Sequence, residues 1–584
     1  MTAALKLPLL ELAERFRQAT TAAFGPEHAE LDPLVRRSDR ADFQANLAMS
    51  LGKALKKPPR EVAQALLAAL ALEDICDKVE IAGPGFINLT LKNDYLDRLL
   101  AAVATDPRLG VGQTASPDTV IVDYGGPNVA KEMHVGHLRP CVIGDCLVRV
   151  LDFAGHRVIR QNHIGDWGTP FGMLIEHLLD LGGIDKAAEL SVGELDTFYK
   201  AARKKFDEDA TFADRSRLRV VAMQGGDATT LQLWQALVDA SKKHFEKVFE
   251  RLGVTMTPAD TRGESFYNAF LPEIAADLEQ RGVARVEGGA LCVFPDGFKN
   301  REGAPLPVIL RKSDGGFGYD ATDVAALRYR AQTLGGGRIL YVVDSRQAQH
   351  FAMVFAVARL AGYVTAATRT EHVGFGSVLG ADRKPMKTRS GDTLRLIELL
   401  DEGRERALAA ITERGSELSE AEKGELASAI SLGAIKYADL SNDRIKDYVF
   451  DWDRMLAAEG NTGPYLQYAQ VRIRSIFRKL EQAGGSAPAP DAIRIQHDRE
   501  RALALSLVGF EGAVQAVVSS LEPHKLCGYL YELASAFSAF WVDCPVLSAE
   551  NAETRASRLA LSELTGRTLA QGLALLGIRA PERM

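Results

Sequence analysis

The sequence predicts a multidomain α/β protein: an α+β module at the N-terminus, a doubly wound core built on a parallel sheet, and an all-helical C-terminal domain. Three observations carry this reading. The chain has 584 residues, too many for one compact hydrophobic core. Between Val120 and about Arg395, short apolar runs alternate with helical patterns, the mark of strand–helix–strand units that cover both faces of a sheet. Beyond Arg395 the strand signals stop and amphipathic helices run to Met584, interrupted once by the flexible stretch Gly484-Gly485-Ser486-Ala487-Pro488-Ala489-Pro490.

Each part has its own signals. Residues 1–104 begin with a helical pattern and repeat it from Pro59 to Leu72; Val79 to Leu89 then alternates like two strands around Gly83-Pro84-Gly85. Residues 105–119, with Pro107, Gly110, Gly112 and Pro117, read as a linker. In the core, 120–395, strands are expected at Val120–Tyr124, Arg157–Gln161, Pro307–Arg311, Ile339–Val343 and Arg369–Val373, all in the parallel sheet, with a helix from His137 to Phe153. Residues 180–294 are more polar and helical and read as an insertion; 396–584 form the helical domain.

Composition narrows the function classes. With 46% hydrophobic and 25% charged residues the chain is an ordinary soluble globular sequence. Lys plus Arg number 70 against 77 Asp plus Glu, a net charge of −7, so a nucleic-acid partner must be met by local basic patches. The six cysteines contain no CxxC pair and no zinc-finger spacing, which points to a reduced, cytoplasmic chain. Lys6, Glu11 and Glu14 interrupt the N-terminal apolar stretch, and no later run reaches the roughly 18 apolar residues of a membrane helix, so neither secretion nor a membrane partner is expected.

The segment from Val120 to Leu138 carries the strongest chemical signal: an apolar strand, a Gly/Pro loop and the start of a helix. His134 and His137, three apart, share one side of the first turn. Free backbone N–H groups and the positive end of the helix dipole make such a turn an anion site, and two imidazoles add donors that follow a phosphate through its transition state. Gly136 between them admits a ligand close to the backbone. Two other readings compete. A metal pair of the zincin type needs His at i and i+4 with Glu at i+1, whereas here the spacing is three and Val135 follows the first His. Two unremarkable surface histidines are the other, against which four of the 11 His residues (His134, His137, His156, His163) cluster within 30 positions. A rival nucleotide signal is Gly316-Phe317-Gly318-Tyr319-Asp320-Ala321, a dinucleotide-type GxGxxA after an expected strand, with Asp344 at the distance of a ribose-binding acid. No Walker A sequence is present.

Pro127 to His137 resembles the "HIGH" signature of class I aminoacyl-tRNA synthetases, and Pro127-Asn128-Val129-Ala130-Lys131-Glu132-Met133-His134-Val135-Gly136-His137 is similar to the form used by arginyl-tRNA synthetases. Further segments resemble that family in order along nearly the whole chain: Asp42 to Asn46, Gly83 to Asn88, Gly165 to Thr169, Ser313 to Asp320, Val343 to Gln347, Glu459 to Ala469 and Pro581 to Met584. The resemblance implies a Rossmann-like catalytic core, an N-terminal tRNA-binding module and a C-terminal anticodon-binding domain. It implies a two-step reaction in which L-arginine and ATP, with Mg²⁺, give arginyl-adenylate, and the arginyl group then passes to the terminal ribose of tRNA(Arg); it also implies a monomer.

It further implies roles. His134, Gly136 and His137 would contact ATP. The second ATP motif of class I enzymes, a Lys-Met-Ser-Lys-Ser loop, is matched by Asp382-Arg383-Lys384-Pro385-Met386-Lys387-Thr388-Arg389-Ser390-Gly391, a departure that keeps cations for pyrophosphate but moves Lys384 and Lys387 out of register. Lys131 would be the compensating cation. Asp123, Asn128, Tyr319, Asp323 and Gln347 would form the arginine pocket, and a planar, permanently charged guanidinium does require carboxylates that accept it side-on, as Asp123 and Asp323 are placed to do. For RNA, Arg36 to Arg60 holds seven Lys/Arg against two Asp. Tyr465 to Leu480 sets Arg472, Arg474, Arg478 and Lys479 beside Tyr465, Tyr468 and Phe477, the cations and rings that an unpaired loop requires. Tyr468 and Met584 match anticodon-loop contacts of the family. An NAD-dependent oxidoreductase built on Gly316 to Ala321, and a non-catalytic RNA-binding relative, are the alternatives.

Overall fold

The computed structural model describes residues 7–184, 195–386, 393–413, 415 and 418–584. Lys387 and Arg389 lie outside the described residues. The N-terminal module is a four-stranded antiparallel sheet of β1 (Val35–Arg37), β2 (Phe43–Ala45), β3 (Cys76–Ala82) and β4 (Phe86–Leu91), in the order β1-β2-β4-β3. The expected hairpin is β3–β4: Ala82 faces Phe86 across a turn whose Gly83 and Gly85 have φ of 54° and 152°. Along β4, Ile87, Leu89 and Leu91 point into the core, packing with helices Pro8–Phe24, Leu47–Leu55 and Pro59–Ala69. Strands β1 and β2 are three residues each, too short to show a period in the sequence.

The core sheet is parallel throughout and consists of β5 (Thr119–Asp123), β6 (Arg157–Gln161), β10 (Arg338–Tyr341) and β11 (Arg369–His372), in the order β11-β10-β5-β6. All four residues of β10 and the last four of β5 are buried, which is why Ile339–Tyr341 and Val120–Val122 read as apolar runs, with the charged Arg338 and Asp123 at their ends. The chain leaves β5 through helix Leu138–Phe153 toward β6 and leaves β10 through helix Ala348–Leu360 toward β11. These crossovers diverge, so a crevice opens beyond the carboxyl ends of β5 and β10, where ligands bind in open α/β sheets.

One expected strand belongs elsewhere. β9 (Val308–Arg311) pairs antiparallel with β8 (Ala290–Val293), which pairs with β7 (Arg285–Glu287), in a separate three-stranded sheet. Its burial alternates, Val308 and Leu310 inside and Ile309 exposed, the pattern of a one-faced antiparallel strand. Gly316 to Ala321 therefore follows an antiparallel edge rather than a strand of the parallel sheet, and the dinucleotide reading fails on that ground. The stretch taken as a helical insertion contains helices Leu195–Glu208, Ala210–Gln224, Ala228–Leu252 and Leu271–Gln280 and, unexpectedly, strands β7 and β8.

The C-terminal part is helical from Leu396–Glu413 through Ala552–Leu575, joined to the core by a two-residue parallel pairing of β12 (Val378–Leu379) with β13 (Tyr448–Val449). Its most apolar stretch, Asp498–Ser520, reaches a mean hydropathy of 1.6 over 18 residues, but it is two helices, Asp498–Leu507 and Phe510–Ser520, packed into the helical core. The two parts also meet through Arg139 Nε and Asp439 Oδ2, 3.2 Å apart and both fully buried, where Arg139 further donates to the Lys446 carbonyl. Asp42 pairs with Arg501 at 2.7 Å, tying the N-terminal module to the same helical domain.

Candidate active site and nucleic-acid interface

After β5 the chain passes Gly125 and Gly126, both at positive φ, and reaches a 3₁₀ turn, Val135–His137, that runs into helix Leu138–Phe153. Residues three apart eclipse in a 3₁₀ turn, which sets the His134 and His137 rings 4.1 Å apart. Each ring accepts a backbone N–H at Nδ1: Gly136 N–H donates to His134 at 3.0 Å and His134 N–H to His137 at 3.1 Å. With Nδ1 accepting, the proton of each neutral ring lies on Nε2. Burial lowers both pKa values, that of His137 to about 3 with the neighbouring His134 adding to the effect, so both rings are neutral Nε2–H donors at pH 7. A Cβ on Gly136 would lie 2.7 Å from the His134 ring, so the turn needs glycine there.

The turn is held from outside by the segment that follows the second ATP-type loop. Val135 N–H donates to the Leu394 carbonyl at 3.0 Å, Leu396 N–H to that of Met133 at 2.9 Å, and Arg395 pairs with the buried Glu132 at 2.7 Å. Lys131 places its ammonium 4.6 Å from the centre of the Tyr199 ring, on helix Leu195–Glu208. Lys384 lies on an exposed turn capped by Asp382.

Asp123, Asn128, Tyr319, Asp323 and Gln347, from three separate stretches of chain, line one cavity of about 340 Å³ at the carboxyl ends of β5 and β10. The histidine pair stands outside its lining. Asn128 fits because residue 165 is glycine, whose Cβ would meet Asn128 Oδ1 at 2.3 Å. The structure also adds residues the sequence did not single out. Asp123 Oδ2 lies 2.9 Å from Nη1 of Arg330, a fully buried guanidinium on the π-turn Tyr329–Thr333 that stacks 4.8 Å from the Tyr341 ring. Asp323 accepts a 2.6 Å hydrogen bond from His350 Nε2. Glu264 lines the same cavity, and burial, reinforced by Asp323 and Asp166, raises its carboxyl to about 7. No periodicity marks Glu264 or Arg330, whereas His350, three residues after Gln347, was within reach of a helical-face argument.

A second cavity, about 920 Å³, lies in the helical domain and gathers Tyr465, Tyr468, Arg472 and Met584. The Arg472 guanidinium sits 4.8 Å over the Tyr468 ring, a cation beside an exposed aromatic face. Arg474 and Arg478 also hold the chain's own end: they donate to the Pro581 carbonyl at 2.8 Å and the Glu582 carbonyl at 2.9 Å, and so pin the C-terminal tail that carries Met584. In the N-terminal module Arg36, Arg40, Lys53, Lys56, Lys57 and Arg60 are exposed.

Comparison with known proteins agrees along the whole chain. Residues 99–452 match the family described as tRNA synthetases class I (R), catalytic domain, residues 466–584 the DALR anticodon binding domain, and residues 10–91 the arginyl tRNA synthetase N terminal domain. The chain is 52% identical to the arginine–tRNA ligase of Thermobifida fusca over 99% of this chain and 100% of that one, and 48% identical to that of Edwardsiella ictaluri over 98% and 99%. Among solved structures it is similar to the arginyl-tRNA synthetase of Plasmodium falciparum (TM-score 0.86, 29% identity, 100% of both chains) and to that of Thermus thermophilus (TM-score 0.82, 27% identity, 98% and 99%). A class I catalytic core over 99–452, flanked by the two modules these proteins carry, places the chain in the arginyl-tRNA synthetase family.

Proposed function

We propose that the chain activates L-arginine with ATP and esterifies it to the 3′-terminal ribose of tRNA(Arg), as an arginine–tRNA ligase. The observation that carries this beyond sequence similarity is the convergence of Asp123, Asn128, Tyr319, Asp323 and Gln347 on one cavity at the switch point of the sheet. The arginine carboxylate attacks the α-phosphorus of ATP, the bond to the bridging oxygen breaks, and pyrophosphate leaves. A ribose hydroxyl of the tRNA then attacks the carbonyl of the adenylate and AMP leaves.

In the first step negative charge builds on phosphate oxygens, and His134 and His137 meet it with Nε2–H groups whose orientation the backbone has already set. Lys131, Lys384 and Lys387 supply cationic charge around the triphosphate. Mg²⁺ enters as Mg-ATP, part of the substrate. Asp323, Glu264 and Tyr319 face the guanidinium, while Asp123, Asn128 and Gln347 complete the amino-acid site. Tyr465, Tyr468, Arg472 and Met584 receive the anticodon loop, where rings stack on unpaired bases and the guanidinium meets phosphate. Residues 1–104 form the module that supports the tRNA elsewhere, 105–119 its linker, 120–395 the catalytic core and 396–584 the anticodon-binding domain. The chain acts as a cytoplasmic monomer, and its six free, buried cysteines support the cytoplasmic part of this reading.

ATP–pyrophosphate exchange with each amino acid, with and without tRNA, tests the assignment. Arginine alone supports exchange, and only with cognate tRNA present. Exchange driven by another amino acid, or none with arginine, overturns it.

A further inference from the structure

Beside the cavity, His350 stands between two carboxylates on the facing helix Tyr319–Arg328. Its Nε2 is 2.6 Å from Asp323 Oδ2 and its Nδ1 is 3.3 Å from Asp320 Oδ1. A neutral imidazole has one N–H and one lone pair, and an ionised carboxylate only accepts, so both ring nitrogens carry hydrogen and the ring is an imidazolium. The Tyr319 ring packs against it at 5.2 Å, and Gln347 lies one turn earlier at the entry to its own helix. Two of the five cavity residues, Tyr319 and Asp323, thus contact one side chain that the proposed reaction does not use.

We propose that His350 is a positioning residue of the guanidinium site: clamped between Asp320 and Asp323, it holds the Asp323 carboxylate in the orientation that accepts a planar guanidinium side-on. This rests on the arginine–tRNA ligase reading of the cavity. Each carboxylate oxygen carries two lone pairs, so the bond from Nε2 leaves both Asp323 oxygens able to accept. Charge supports the same role. Around His350, two carboxylates and one imidazolium leave one net negative charge beside that of Glu264 for a guanidinium to meet, whereas without the ring Asp320 and Asp323, three residues apart, would repel each other. Burial works to discharge the ring, but hydrogen bonds to Asp320 and Asp323 outweigh it and raise its pKa to about 9, so the clamp is intact at neutral pH. A bidentate partner needs an oriented carboxylate; a point-charge ammonium does not.

The test is ATP–pyrophosphate exchange with cognate tRNA present throughout, on wild type, His350→Ala, His350→Gln and His350→Asn, with agmatine and lysine as inhibitors. His350→Ala raises the KM for arginine and the inhibition constant of agmatine together, by about tenfold or more, while the KM for ATP and the inhibition constant of lysine stay put. Gln reaches the place of Nε2 and restores most of the arginine affinity, whereas Asn reaches only that of Nδ1 and does not. Unchanged arginine KM in His350→Ala, a parallel rise for ATP and lysine, or Gln no better than Asn overturns the inference. Should His350→Ala fail to fold, the Gln and Asn contrast decides. Absence of arginine-dependent exchange in wild type would instead refute the underlying reading.

Discussion

Asp323 shows how one carboxylate is asked to serve two cations. It is about six-sevenths buried, bonded to His350, and open to the cavity. Asp123 is in the same position, with Arg330 beneath it and the cavity above. Asp323→Ala leaves the fold intact and lowers kcat/KM for arginine by roughly 10²- to 10⁴-fold, the cost of about 3–5 kcal/mol for a buried charge that loses its partner. Steady-state exchange checks this, and a near-normal arginine KM would remove Asp323 from the guanidinium site. Asp123 and Asp323 were legible as candidate acceptors because a guanidinium demands carboxylates. Arg330 was not, because it lies 207 positions beyond Asp123, and although His350 shares a helical face with Gln347, its pairing with Asp323 is decided by which helix packs on which.

Elements differ in how far local pattern specifies them. β5 and β10 were legible as strands because a buried parallel strand leaves a largely apolar run, whereas the outer strands β6 and β11 are partly exposed and polar; the turn at His134 was legible because its glycine and histidines stand at fixed offsets. β9 was legible as a strand but not as a member of its sheet, since four residues do not say which edge they join. Helix Leu138–Phe153 supplies a test of packing. Its Gly144 lies against Tyr124, which lines the cavity, and a Cβ there would be 2.4 Å from that side chain. Gly144→Ala therefore costs about 1–3 kcal/mol through overpacking, more than the gain of about 1 kcal/mol in helix propensity. It also weakens arginine binding by displacing Tyr124. A methyl group on Gly528, within helix His524–Asp543, would meet nothing within 4 Å, so Gly528→Ala stabilises. Denaturation midpoints of the two variants should move in opposite directions; a shared direction would show that propensity rather than packing governs Gly144.

At the scale of the molecule, the net charge of −7 hides a division of labour. Acids gather at the cavity proposed for a cationic amino acid, while Arg472 and the exposed cations of the N-terminal module lie on the surfaces proposed for RNA. The tail is part of that surface: Arg474 and Arg478 hold the carbonyls of Pro581 and Glu582, and Met584 ends at the same cavity as Tyr468. A C-terminal extension should raise the KM for tRNA several-fold, with the arginine KM at saturating tRNA unchanged. An unaltered tRNA KM would exclude Met584 from the RNA surface. By itself the sequence determined the family and the three-part architecture, and it singled out the histidine turn and the candidate residues that line one cavity, because these follow from motif order, local periodicity, fixed spacing and the chemistry of a guanidinium. Only the tertiary structure decided that β9 belongs to a separate sheet, that Arg474 and Arg478 bind the chain's own tail, and that Arg330 and His350 sit behind the pocket carboxylates. Those are contacts between residues far apart in the chain, and packing, which no local pattern encodes, chooses among them.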